Sequence, residues 1–169
     1  MVTVRPERPE DSDAARVVND RAFGADSGEA ELVDALRAGG ATVPELCLVA
    51  VDGDAVVGHI LFSRARLSSG HEVLALAPMA VLPEHQRSGV GSQLAKAALR
   101  RAAATDFPLV VVLGHPEFYP RFGFQPAVDY GIAAPWDVPA EAWTVVPLPA
   151  YDPGARGVVT YADAFGAVT

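Results

Sequence analysis

The sequence predicts an α/β (α+β) protein built on a mixed, mostly antiparallel sheet with flanking helices. Three observations carry this. Two β-rich runs surround the turn signal Asp52-Gly53 in "ELCLVAVDGDAVVGHILFSRARL", the pattern of an antiparallel hairpin. "EVLALAPMAVL" is apolar at both alternations, as a central strand covered on both faces must be. The span from Val73 to Leu113 reads strand–helix–strand, and the right-handed crossover this implies makes its two strands parallel inside an otherwise antiparallel sheet.

Each element follows in order. "VTVRP" is a short β-branched run stopped by proline, an opening strand. Asp11 or Ser12 caps a helix with Ala14, Val17, Val18 and Ala22 on its apolar face. "EAELVDALRA" groups Leu32, Val33 and Leu36, and Gly39-Gly40 stops that second helix. After the hairpin and the central strand, a loop with two glycines opens a helix to about Ala104, whose Val90, Leu94, Ala97 and Ala98 share one side. "PLVVVL" is a second buried strand, and "HPEFYPRFGF" is a turn or short helix leading to a further strand. From Pro126 onward six prolines and two tryptophans break the pattern, and only "WTVVPL" and "GVVTYA" look strand-like. With no internal repeat or low-complexity tract, residues 1–169 are expected to form one domain, with 127–169 as its proline-rich C-terminal extension.

Composition narrows the function classes. Acidic side chains outnumber basic ones by 21 to 13, for a formal charge of −8, which disfavours a nucleic-acid surface. No apolar run reaches membrane-spanning length and "MVTVRPERPED" has no apolar signal region, so a cytoplasmic, membrane-free protein is expected. The lone Cys47 sits in the apolar run "ELCLVAV", where a buried inert thiol is favoured over a nucleophile. The four histidines show no metal-ligand spacing, so no metal is expected.

The stretch "MAVLPEHQRSGVGSQLAKA" carries the functional question. A phosphate-binding P-loop would need Gly-x-x-x-x-Gly-Lys-Ser/Thr, and a dinucleotide fingerprint would need a glycine where Leu94 stands. A third use needs only Gln86-x-x-Gly89-x-Gly91 at a helix mouth. There the amides of Gln86, Arg87, Ser88, Gly89, Val90, Gly91 and Ser92 face outward, the helix dipole adds partial positive charge and Arg87 a full one, a nest suited to pyrophosphate. A plain tight turn is the competing reading. Pro78, inside a central strand, argues for a bulge or an opened ladder.

"VLPEHQRSGVGSQL" resembles the acetyl-CoA-binding motif of the GNAT N-acetyltransferase superfamily. The resemblance extends through "LAPMAV" before it and "VVVLGHPEFYPRFGF" after it, and within the superfamily it is strongest to a bacterial branch whose substrates are mostly unassigned. It implies the GNAT fold, in which the two parallel central strands splay into a V-shaped slot. It also implies acetyl-CoA as cosubstrate, the backbone of Met79, Ala80 and Val81 pairing with the pantetheine amides, and the amides of Gln86 to Ser92 holding the pyrophosphate.

Acetyl transfer to an amine then requires loss of an amine proton, since such amines titrate at about 10.4, donors for an oxyanion, and support for a departing thiolate. The resemblance places Tyr119 near the sulfur as the acid, against the alternative of a tyrosine packed under the cosubstrate; Pro120 biases it away from helical geometry. For the base, His115 follows the second splayed strand, His59 lies in the neighbouring strand and Glu72 at the far start of the first, and a chain of waters is the default. The backbone N–H near Val81 is the expected oxyanion donor. Trp136 and Trp143 fit an acceptor pocket, a lid or a homodimer contact equally well. The expectation is an N-acetyltransferase acting on a small-molecule or peptide amine; the competing class is a non-catalytic acyl-CoA-binding sensor or structural module.

Overall fold

The computed structural model describes residues 1–163 and 165; the end of the expected C-terminal extension, 166–169 together with 164, lies outside the described residues. The strands are β1 (Val2–Pro6), β2 (Leu48–Asp52), β3 (Ala55–Leu67), β4 (Glu72–Val81), β5 (Leu109–Leu113), β6 (Gln125–Pro126), β7 (Ile132–Ala133), β8 (Trp143–Pro147) and β9 (Gly157–Thr160). The helices are α1 (Ser12–Phe23), α2 (Glu29–Ala38) and α3 (Val90–Ala102). The sheet runs β1-β2-β3-β4-β5-β8-β6, with β9 paired to both β3 and β7. Along that path every neighbouring pair is antiparallel except β4 and β5, which α3 joins by the expected crossover.

Period-two alternation explains why the two central strands are apolar throughout. Val73 and Ala75 pack with Leu109 and Val111 on one face of the sheet. Leu74 and Leu76 pack with Val110 and Val112 on the other, against Val90, Leu94 and Ala98 of α3. Burying that helical stripe fixes where the mouth of α3 sits relative to β4. The α2 residues Leu32, Val33 and Leu36 form a separate cluster with Cys47 and Leu61.

The apolar face expected for α1 needs correction. Its buried residues are Ala15, Val18 and Asn19, while Val17 is 53% exposed. A polar contact turns the helix: Asn19 Nδ2 donates to the Ala15 carbonyl at 2.9 Å and lies 3.1 Å from Nδ1 of the buried His59 on β3. His59 Nε2 in turn faces Glu7 at 3.4 Å, and Arg37 of α2 donates to the same carboxylate at 2.7 and 2.5 Å. Burial alone would raise the Glu7 carboxyl, but hydrogen bonds and charge from His59 and Arg37 leave it lowered. Apolar periodicity carries no information about such a network.

The C-terminal segment is built into the sheet. β8 lies between β5 and β6, and β9 extends the β3 side. Trp143 is buried there, its Nε1 donating to the Ile132 carbonyl at 3.2 Å.

Candidate functional site

β4 and β5 share only two rungs, Leu74–Val110 and Ala75–Val111, although β4 continues to Val81. On its other side β4 stays tied to β3 as far as Gly58–Val81. The register shifts between Ile60 and Phe62, where Ala77 and Pro78 together oppose the single residue Leu61. Pro78 has no N–H to give a ladder, so the strand bulges on one edge and stands open on the other. Met79, Ala80 and Val81 therefore face Ile60, His59 and Gly58 on one side and, among the described residues, no strand on the other. Between the diverging strands lies a cavity of about 520 Å³, walled by residues such as Leu76, Met79, Val112 and Gly114.

A second cavity, of about 460 Å³, lies beside the glycine loop and shares Met79 and Phe118 with the first, so one trench runs from the loop into the gap. Arg87, at φ 62°, and Gly89, at φ 90°, both adopt the left-handed conformation. Among the described residues the amides of Arg87 to Ser92 donate to no backbone acceptor; the last three belong to the first turn of α3, which lacks intrahelical partners by construction. Gln86 departs from the expected row of outward amides. Its N–H donates to the Pro83 carbonyl at 3.3 Å, closing the short turn over Pro83–His85, and its Nε2 donates to the Val81 carbonyl at 3.0 Å. Gln86 thus pins the loop to the end of β4. The Ser88 hydroxyl likewise donates inward, to the His85 carbonyl.

Arg121, within "HPEFYPRFGF", has no role among the residues expected from the sequence. The structure lays its guanidinium 4.8 Å from the Phe118 ring centre and 5.4 Å from that of Phe122, with Nη2 3.3 Å from Ser92 Oγ. Arg121 and Arg87 line the same cavity. The three-residue spacing from Phe118 on a helical turn was the available signal.

Tyr119 stands at the inner wall of the gap, 7% exposed. Its ring meets Phe118 edge-on at 5.0 Å and Phe124 at 5.4 Å. A Cβ placed on Gly114 would fall 2.3 Å from its Cε2, so only glycine leaves room for the ring. Burial, the only cause of the shift, pushes the phenol up to about 12, and the hydroxyl has no hydrogen-bond partner among the described residues. His115 is exposed and lines the same cavity, its carbonyl accepting the Phe118 and Tyr119 N–H groups at 3.1 and 3.4 Å. His59 is removed from the gap by its buried network with Asn19 and Glu7, and Glu72 does not line the cavity. The two tryptophans separate: Trp136 lines the cavity, Trp143 is core. Among the described residues no group of three or more His, Cys, Asp or Glu is placed to hold a metal ion, and no helix is long and apolar enough to cross a membrane.

The glycine-loop cavity and the inner wall of the gap fall within residues 44–126, which match the acetyltransferase (GNAT) domain family. The chain is 38% identical over 160 residues to the uncharacterized N-acetyltransferase YjhQ of Escherichia coli K12, covering 90% of this chain and 88% of that one. The chain belongs to the GNAT acetyltransferase family. A second GNAT relative, the uncharacterized N-acetyltransferase YhbS of the same strain, is 32% identical over 167 residues, 96% of this chain and 97% of its own. The crystal structure of E. coli YhbS in complex with CoA superposes with a TM-score of 0.88 at 30% identity, covering 98% of this GNAT chain and 92% of that one. A GNAT family acetyltransferase from Brucella melitensis in complex with acetyl-CoA gives 0.80 at 30% identity, with 98% of each chain covered. The splayed strands expected from the motif are those of the GNAT fold.

Proposed function

We propose that this GNAT protein is an N-acetyltransferase that moves an acetyl group from acetyl-CoA to a primary amine by direct attack, both substrates being bound together. The observation that carries the reading is the open edge of β4 meeting the mouth of α3 in one trench. The similar YhbS and Brucella proteins were crystallised with CoA and acetyl-CoA, which supports the same cosubstrate here. The residues present fit it. Six amides from Arg87 to Ser92, with Arg87 and Arg121, suit a pyrophosphate, and the unpaired side of Met79, Ala80 and Val81 suits the amides of a pantetheine arm. In Gln86 and Ser88 the side chains shape the loop rather than face the ligand.

Acetyl-CoA supplies an activated thioester carbonyl. Nitrogen bonds to the acetyl carbon, the carbon–sulfur bond breaks, and the electron pair leaves on sulfur. Tyr119 serves the departing thiolate. A phenol held at about 12 stays protonated across physiological pH and donates a hydrogen bond to sulfur. If that proton crosses, the nitrogen returns one to the phenol, so Tyr119 ends the cycle neutral. The amine's first proton leaves before attack, through water or through His115 at the rim.

The test is a panel of primary amines incubated with acetyl-CoA, scored by release of free thiol, in the parent and in Tyr119→Phe. Turnover with at least one amine, reduced in the variant at unchanged acetyl-CoA affinity, is expected. Acetyl-CoA binding without turnover across a broad panel would replace the enzyme by a sensor.

A further inference from the structure

The inner half of the 520 Å³ cavity belongs to the family match, but its outer wall does not. It is made by Phe23 at the end of α1, Glu29 and Leu32 of α2, and the C-terminal Trp136, Tyr161 and Phe165. Three of these form a continuous aromatic surface: Trp136 stacks on Tyr161 at 5.4 Å with 17° between planes, and Tyr161 meets Phe165 at 4.7 Å. Phe23 and Trp136 are 43% and 44% exposed, which leaves the apolar rim open to solvent.

Charge on this wall is sparse and of one sign. Among the described residues lining the cavity Glu29 is the only carboxylate, and none is lysine or arginine. Glu29 has no ion-pair partner among the described residues, and burial alone raises its carboxyl above the ordinary range. A half-buried carboxylate without a counter-charge, in a cavity otherwise apolar and aromatic, lacks only a cation.

We propose that this outer half is the acceptor site, and that it selects a primary amine with one positive charge and an apolar, aromatic body. Glu29 draws the ammonium into the cavity, the same nitrogen gives up a proton through water or His115 before it attacks at the Tyr119 end, and Trp136, Tyr161, Phe165 and Phe23 hold the body. A sugar amine would leave its hydroxyls without partners against the aromatic wall. A polyamine would bring several charges to one carboxylate, and an anionic acceptor would meet Glu29 with no cation to offset it. This rests on the acetyl-transfer reading for the place of the cosubstrate, at the Tyr119 end of the same cavity.

The test uses the full chain, with and without CoA, and isothermal titration with three probes: phenethylamine, the uncharged 2-phenylethanol and ethylamine. The parent should bind phenethylamine at least about tenfold more tightly than 2-phenylethanol, the scale of one charge-assisted contact. Glu29→Gln should abolish that preference. Trp136→Ala should weaken phenethylamine and leave ethylamine unchanged. A preference that survives Glu29→Gln, or thiol release that is faster with spermidine or glucosamine than with phenethylamine, overturns the proposal. An acetyl-CoA titration on the same preparation separates the two readings. Lost acetyl-CoA binding sinks the transferase reading, whereas intact acetyl-CoA binding with no discrimination among the three probes sinks only the acceptor assignment.

Discussion

Gly114→Ala isolates the placement of Tyr119 from its chemistry. Gly114 has no left-handed backbone, so alanine is tolerated by the main chain itself, and the nearest obstacle is the tyrosine ring. The new methyl would lie 2.3 Å from Cε2, 2.9 Å from Cδ2 and 3.3 Å from Cζ. Restoring ordinary contact moves the ring by about 1 Å, against Phe118 and Phe124, which pack its edges. Overpacking of this kind costs about 1–3 kcal/mol of stability, or a few degrees in Tm per kcal/mol for a chain of this size. A displacement of about 1 Å at a reacting group costs up to about 10²-fold in rate. The expected result is a folded protein, with a melting transition a few degrees lower by differential scanning fluorimetry. Its kcat should fall by about 10–100-fold while acetyl-CoA affinity stays within about twofold, matching Tyr119→Phe in direction. Full activity in Gly114→Ala, with the methyl accommodated, would refute the assignment of Tyr119 to the sulfur end of the gap.

Three further outcomes are expected. Gly89→Val forces a β-branched residue to φ 90°, a strain of about 1–3 kcal/mol at the mouth of α3; since no atom of the described residues lies within 4 Å of the added Cβ, the protein should fold while acetyl-CoA binding by calorimetry weakens, and an unchanged Kd would remove the loop from the site. Asp11 accepts two hydrogen bonds from Arg5, at 2.7 and 3.0 Å, and one from the Arg8 N–H at 2.7 Å; the Arg5 bond is the largest cause holding its carboxyl down at about 2. Because the folded value lies below the unfolded one, this contribution of about 2 kcal/mol is complete above about pH 4 and lost as pH falls toward 2; acid titration of Asp11→Asn should show a shallower loss over that window, and identical acid limbs would contradict it. Burial pushes the Cys47 thiol up to about 11, so iodoacetamide at pH 8 should label the native protein far more slowly than the urea-unfolded chain, as followed by mass spectrometry.

What the sequence disclosed, and what it withheld, follows from the range over which each signal acts. Asp52-Gly53, the doubly apolar β4 and Pro78 are local signals, and hairpin, central strand and opened ladder all stand where they imply. The glycine loop was legible because its backbone requirement is written in residue types at fixed spacing. Gln86 was misjudged because its partners, Val81 and Pro83, are reached only once the loop has turned back on β4. Arg121 was overlooked because its value comes from Ser92, across the trench. The outer wall was hidden most deeply. Phe23, Glu29, Trp136 and Tyr161 are scattered over more than a hundred positions, and no spacing rule connects them before the sheet brings β9 alongside β3. The burial of Asn19 in α1 has the same origin, since its reason lies on another strand.

The half-built ladder along β4 also bears on how the protein behaves when handled. An interrupted strand pairing leaves main-chain groups that water must satisfy, and any occupant that docks there acts as the missing neighbour. By mass action, an occupant at a hundred times its Kd adds about 2.7 kcal/mol to folding. Preparations stripped of small molecules should therefore melt earlier and clump more readily, and the yield of intact protein becomes a readout of what fills the notch.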